Sequence, residues 1–393
     1  MQKDHSITLA ILALALGSFA IGTSEFAAMG LLPYFSAELQ ATPTEAGHII
    51  SAYALGVVIG APLTSILGAK LPRRRYLAAL IAFYGVMNIA SAVLPGFGAL
   101  AITRFLAGIP HGGYLGVAML FAASVLPRER RSLGAAQILM GLAVANIVGV
   151  PLAGALGQGI GWRWGFALPG VLSLIAAVLI LKLAPRAGVD KSARPLDELK
   201  ALTNPQVLLT LLVGAIGFGG MFAVYTFLSA AIIATTTAPH WVIPVALALF
   251  GVGATVASYY VAMLSDRVGA FRASFIILVV MIVSQAFAAV AVGNWPLMLL
   301  SALLLGGGSG LAIPLQTRLM DVGGEAQSMA AALNHAAFNA ANALGPWLAG
   351  IALAAGYGWR SPGVVAVGIS LAGLAALGLA AWAARNEPAQ GHS

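Results

Sequence analysis

The sequence predicts an all-α polytopic membrane protein, with twelve transmembrane helices in two pseudo-symmetric six-helix bundles. Three observations predict it. Of 393 residues, 60% are hydrophobic and only 8% charged, with a mean hydropathy of +0.94. A soluble chain of this length needs more charge to cover its surface. Apolar segments long enough to cross a core of ~30 Å recur about twelve times. One long polar stretch, residues 184–206, divides them six and six. The 47 glycines suit the class, because small residues let helices approach closely in lipid. The chain has no cysteine, so disulfide and thiolate chemistry are excluded.

The first segment, 7–33, follows Lys3 and runs past the length of a signal peptide, so it is expected to be retained as the first helix. The second and third, 44–68 and 76–95, flank Lys70 and the run Arg73, Arg74, Arg75. The fourth, 98–126, carries Arg104, Gly108 and His111 on one helical face. The fifth, 133–158, has Gly141, Ala145, Gly149, Ala153 and Gly157 at every fourth position, a smooth stripe for a neighbouring helix. Its Pro151 removes a backbone bond and favours a kink, so Gly149 and Pro151 are candidates for an interdomain hinge or seal. The sixth is 164–183. After the linker, whose fragment PLDELKALT is amphipathic, come 207–234, 240–264, 272–293, 295–319, 326–356 and 361–384. Gly306 to Gly310 in the tenth segment lacks a following Gly-Lys-Ser/Thr and reads as helix packing, not a phosphate loop.

The halves repeat. Gly161-Trp162-Arg163 and Gly358-Trp359-Arg360 stand 197 residues apart, as do Lys70 and Arg267, and GVPLAG at 149–154 matches GPWLAG at 345–350. The expected domains are therefore 1–183 and 207–393, joined by a linker at 184–206. Parallel repeats with a site between them are a transporter architecture. Nearly all Lys and Arg fall in loops on one side of the spans, leaving Arg163 and Arg360 opposite. The positive-inside bias makes the crowded side cytoplasmic, with both termini there. The net charge of +8 then reflects topology, and nucleic acid is excluded as a partner. Trp162, Trp241, Trp295 and Trp359 are expected in the interfacial belt of the opposite side.

Ionisable groups inside a membrane are functional candidates by default. Glu25 lies ~12 Å below the outer end of its helix and Arg104 ~9 Å below the same surface. An ion pair or shared water network between them is expected. Solvation and pairing decide whether a carboxyl group holds its proton, so a change of surroundings during a transport cycle would couple Glu25 to proton movement. Arg104 stays charged and acts electrostatically. His111, which titrates near neutrality, is a candidate proton relay or substrate ligand. The eleventh segment carries His335, Asn339 and Asn342 on one face, the expected wall of a substrate cavity. Tyr53, Asn146 and Tyr225 are further cavity candidates, with Asn88, Gln137, Thr226 and Gln285 weaker ones. By the 197-residue register, the tenth segment has Ser301 where the fourth has Arg104. No His-Glu-x-x-His or paired aspartates exist, so no catalytic residues are expected, and no metal or other cofactor is implied.

These residues resemble the major facilitator superfamily, in its twelve-helix drug:proton antiporter branch and the arabinose-efflux-permease-like subgroup. Ser265-Asp266-Arg267-Val268-Gly269 looks like the family's loop between helices eight and nine, and Ala69 to Arg75 like its first copy. Leu100 to Gly113 is similar to the fourth-helix motif built on a buried arginine, and Gly141 to Gly157 to the antiporter motif of helix five. Glu25 with Gly30-Leu31-Leu32-Pro33 resembles the acidic first-helix motif, and Phe105 to Gly112 the sugar-efflux subgroup. The first loop has Ala69 where the family carries aspartate, which alters one half of the expected charge latch; Arg73, Arg74, Asp266 and Arg267 remain. The resemblance implies a monomeric inner-membrane exporter of a small organic compound, drug-like or sugar- or nucleoside-like. Export would proceed by alternating access in exchange for protons, with the bilayer as the other partner. The alternative is a proton-independent sugar or nucleoside facilitator in which Glu25 and Arg104 form a static clamp.

Overall fold

The computed structural model describes residues 2–68, 70–127, 131–185, 203–322 and 327–386. Ala69, Arg128, Arg130 and most of the linker, including nearly all of its amphipathic fragment, lie outside them. Among the described residues the regular structure is helical. The first half comprises α1 (Gln2–Glu38), α2 (Pro43–Gly68), α3 (Arg73–Val93), α4 (Phe97–Val125), α5 (Arg131–Val144), α6 (Val150–Gly159) and α7 (Trp162–Leu183). The second comprises α8 (Pro205–Gly217), α9 (Gly219–Thr235), α10 (Val242–Val268), α11 (Ala270–Ala291), α12 (Trp295–Gly306), α13 (Ala312–Val322), α14 (Gln327–Ala354) and α15 (Ser361–Asn386).

Three expected spans are each two helices in line. A π turn, Ala145–Gly149, joins α5 to α6, Phe218 joins α8 to α9, and a 3-10 turn, Gly307–Leu311, joins α12 to α13. Counted this way the described residues form twelve segments of membrane-spanning length. Eleven meet both the length and the apolarity of a membrane span. The other is α14, 28 residues long, whose polar face lowers its hydropathy. Local chemistry sets the starts. Asn204 caps α8, its side chain accepting from Gln206 N at 2.8 Å ahead of Pro205 at the first turn.

Backbone-to-backbone packing on glycine repeats between the halves. Gly56 of α2 leaves no room for a side chain against Phe105 O and Gly108 of α4, and Gly108 lies against Tyr53 O. In the second half Gly253 lies against Leu303 O and Gly306, and Gly306 against Phe250 O. The α2 and α10 members of these pairs stand 197 residues apart, but the α4 and α12 members stand 198 apart. The counterpart of Arg104 is therefore Ala302 and not Ser301. The charge asymmetry between halves survives the correction.

The small-residue stripe of α5 and α6 faces α1. Gly141, Gly149 and Gly157 meet Ala15, Thr23 and Leu31, both series stepping by eight residues. It packs helices within one half, so it is not itself the seal between halves. Nor does Pro151 simply kink the span. The backbone widens just before it, Val150 N bonding Ala145 O five residues back, so the residue without an N–H sits in the first turn of a fresh helix. The opposite side of this π turn meets the other half, where Gly251 of α10 lies against the backbone of Asn146.

The halves touch along α1 with α9, α2 with α14, and α6 with α10. Thr44 Oγ1 donates to Gly350 O at 2.8 Å and Ser51 Oγ to Ala343 O at 2.9 Å. Gly30 and Gly154 both lie against Leu247. These contacts gather toward the end remote from the termini. Toward the terminal end α10 parts from α5, and Tyr259 and Tyr260 of α10 are exposed. At the closed end, Trp162 is buried, not interfacial as expected. Its Nε1 donates to Glu38 Oε2 at 2.7 Å, and Arg163 pairs with Glu38 at 2.8 Å. Trp359 likewise packs on the apolar core, whereas Trp241 is exposed and its ring faces Trp295.

Candidate functional site

The polar groups of the interior collect where α1, α2, α3 and α4 face α14. Arg104, on α4, is buried, with 1% of its surface exposed. Its Nη1 donates to Ser24 Oγ and to Asn88 Oδ1, both at 2.9 Å, and Nη2 to Ser24 O at 3.4 Å. Ser24 Oγ in turn donates to Asn88 Oδ1. The guanidinium lies 4.3 Å from the centre of the Tyr53 ring and 4.9 Å from that of Phe166. Neutral acceptors and two ring faces take the place of a counter-ion.

The expected Arg104–Glu25 ion pair is not formed, since no carboxylate oxygen of Glu25 lies within 4.0 Å of an Arg104 nitrogen. The reason is helical geometry. Ser24 and Glu25 are adjacent and point ~100° apart around α1. With Ser24 turned to Arg104, Glu25 is turned toward the other half. There its Oε1 accepts a long hydrogen bond, 3.4 Å, from Asn342 Nδ2 of α14.

His111 and His335, expected in separate roles, are joined. Their Nε2 atoms lie 2.9 Å apart, and the rings meet edge to face at 4.9 Å. His111 Nδ1 is 2.8 Å from Tyr53 OH, which is 3.1 Å from Tyr84 OH, which donates to Ile21 O at 3.3 Å. A carbonyl only accepts, so this last bond orients the chain when both imidazoles are neutral. Tyr53 donates to Tyr84, His111 Nδ1–H to Tyr53, and His335 Nε2–H to the bare Nε2 of His111.

The remaining cavity candidates are placed as follows. Asn339 Nδ2 donates to His335 O at 3.1 Å. Tyr225 stacks on Phe250 with centroids 3.8 Å apart and lies 6.3 Å from Phe26. Asn146 sits in the π turn against α10. Tyr225 OH, Asn146 Oδ1, Asn339 Oδ1 and Asn342 Oδ1 are buried with no hydrogen-bond partner among the described residues. Gln285 is absorbed by the second half: with its amide oriented to satisfy its neighbours, it bonds Ser370 and Ala366 O.

The motif charges stand apart from this cluster. Arg74 Nη2 donates to Leu181 O at the end of α7, within its own half. Asp266 and Arg267 are exposed at the terminal end of α10, and among the described residues no ion pair ties them across the halves. That end is where α10 has parted from α5, and among the described residues no hydrogen bond or ion pair joins these charges to the other half. Sequence reasoning missed Ser24 and Tyr84 and undervalued Asn88. A lone amide in the apolar third segment was the available signal.

A transporter-like division, a buried arginine on α4 and a buried carboxyl between halves invite comparison with known proteins. The model of the Major Facilitator Superfamily matches residues 14–237 and 233–393. The chain belongs to the Major Facilitator Superfamily. The inner membrane transport protein YdhP of Escherichia coli (strain K12) is 36% identical over 393 residues, 97% of each chain. The chloramphenicol resistance protein of Streptomyces lividans is 33% identical over 370 residues, 91% of this chain and 94% of that one. Among solved structures, the nucleoside transporter NupG superposes with a TM-score of 0.79 at 14% identity, covering 95% of this chain and 99% of that one, a likeness of fold alone. As a facilitator-superfamily member with efflux-type relatives, the chain is a multi-pass membrane transporter and not an enzyme.

Proposed function

We propose that this transporter exports a small organic compound in exchange for protons, by alternating access. The bodies that rock are residues 1–183 and 207–393, with 184–206 as the tether and both termini on the cytoplasmic side. On that topology the splayed end faces the cytoplasm. One observation carries the reading. Glu25 is a buried carboxyl whose hydrogen-bond donor, Asn342, belongs to the other half. Separation of the halves removes that donor and admits water, so the proton affinity of Glu25 must change with the cycle. The missing direct pair with Arg104 supports this over the static clamp. The name of the Streptomyces relative supplies a first candidate cargo, chloramphenicol, a neutral ring compound.

The test uses purified protein in vesicles carrying an imposed pH gradient, with chloramphenicol uptake into inverted vesicles as the readout. Wild type is expected to accumulate it and to release protons in step. Glu25→Gln is expected to lose gradient-driven accumulation while keeping counterflow. Full gradient-driven transport by the variant sinks the coupling role of Glu25. Counterflow that ignores the gradient in wild type favours the facilitator.

A further inference from the structure

Asn339 and Asn342 sit one turn apart on α14, and the amide nitrogen of each is committed. Asn339 Nδ2 donates to His335 O at 3.1 Å and Asn342 Nδ2 to Glu25 Oε1 at 3.4 Å. Those bonds set the orientation of both amides, so what each leaves unpartnered is an oxygen, an acceptor only. Both side chains are fully buried, and neither Oδ1 has a partner among the described residues. A buried acceptor left unpaired is costly, and native proteins supply a partner at nearly all such sites. The hydroxyl of Tyr225, also buried, is unpartnered too.

The helix that carries the two Asn residues meets an aromatic patch through Phe338, whose ring lies 4.9 Å from that of Phe222. The Phe26 ring lies 6.4 Å from Phe222, 6.3 Å from Tyr225 and 6.1 Å from Phe250. Three of its four rings belong to the second half: the residue 197 positions after Glu25 is Phe222, and after Tyr53 it is Phe250. Arg104 spends its Nη groups on Ser24 and Asn88, while its Nε and the hydroxyl of Thr226 are, like that of Tyr225, without a partner among the described residues. The site therefore offers two buried amide oxygens that can only accept, with rings gathered around Phe26.

We propose that the substrate bound here is a neutral, planar ring compound carrying N–H or O–H groups, which donate to Asn339 Oδ1 and Asn342 Oδ1 while the ring packs on Phe222, Tyr225 and Phe250. This rests on the transporter reading of the site but not on proton coupling. Ring size is not selected; the donor is. A compound of the same shape whose donors are methylated leaves two buried oxygens unpaired and is rejected.

Matched pairs test it: 4-nitrobenzamide against its N,N-dimethyl form, and 4-nitrobenzyl alcohol against its methyl ether. Binding to purified full-length protein is measured without a gradient, by thermal shift and by quenching of tryptophan fluorescence. The donor member of each pair is expected to bind at least about five-fold tighter, the lower end of the penalty for an unmet buried acceptor. Asn339→Leu and Asn342→Leu are each expected to shrink that preference, and Asn339→Ala and Asn342→Ala serve where a Leu variant fails to fold. Equal binding within pairs, tighter binding of the methylated members, no binding by any of the four, or an unchanged preference in every folded variant overturns the proposal. Because no gradient is used, failed coupling leaves a donor preference standing, and equal binding leaves proton exchange standing.

Discussion

Arg104 keeps its charge inside the membrane-spanning part of the molecule by contact with Ser24, Asn88 and the faces of Tyr53 and Phe166. Each partner is neutral, so the cage stabilises the cation without consuming the carboxylate beside it. Glu25 is left free to change partners, which a salt-bridged carboxylate in a dry interior cannot do cheaply. Asn88 is the acceptor whose loss tests this division of labour. Asn88→Leu strands a charged donor in a buried site, and a loss of about 2 kcal/mol is expected, seen as a lower melting temperature in detergent. Asn88→Asp, which restores an acceptor, is expected to recover most of it. An unchanged melting temperature in Asn88→Leu shows that Arg104 is satisfied some other way.

At the scale of elements, the π turn Ala145–Gly149 solves two problems. It absorbs Pro151 without a broken span, and it holds Gly149 against Thr23 on one side and Asn146 against Gly251 on the other. The stripe of α5 and α6 thus fixes α1, and α1 carries Ser24 and Glu25 at their opposed angles. Gly149→Val drives a branched side chain into Thr23 Oγ1 and the Phe19 ring. Overpacking of this kind costs about 1–3 kcal/mol. The double variant Gly149→Val with Thr23→Gly is expected to regain part of that loss in a thermal melt. If the two changes simply add, the stripe does not pack as described.

Across the whole molecule, the closed end is held by α2 against α14. A Cβ built on Gly350 falls 3.7 Å from the Cβ of Thr44, within the range a disulfide needs. The chain has no cysteine of its own, so the pair Thr44→Cys and Gly350→Cys stands on a clean background. Oxidation is expected to lock the closed end and abolish transport, and a reducing agent to restore it. Transport by fully cross-linked protein means that this end need not open.

The sequence by itself determined the architecture, because the signals that specify it are one-dimensional. Apolar runs of membrane length, the 197-residue echo and the charge sidedness need no knowledge of contacts. It also singled out Glu25, Arg104, His111, His335, Asn339 and Asn342, since polar groups in such runs are costly and stand out. What it could not assign was partnership. Depth along a helix brought Glu25 and Arg104 level, but the angle around α1 decides which of two adjacent residues meets the arginine. The joining of His111 to His335, and of Asn342 to Glu25, depends on how the two halves are set against each other. Residues 224 and 317 positions apart carry no local trace of that contact. Only the tertiary structure decided it, because the side chains that face each other across the centre belong to bodies whose relative placement is a matter of packing.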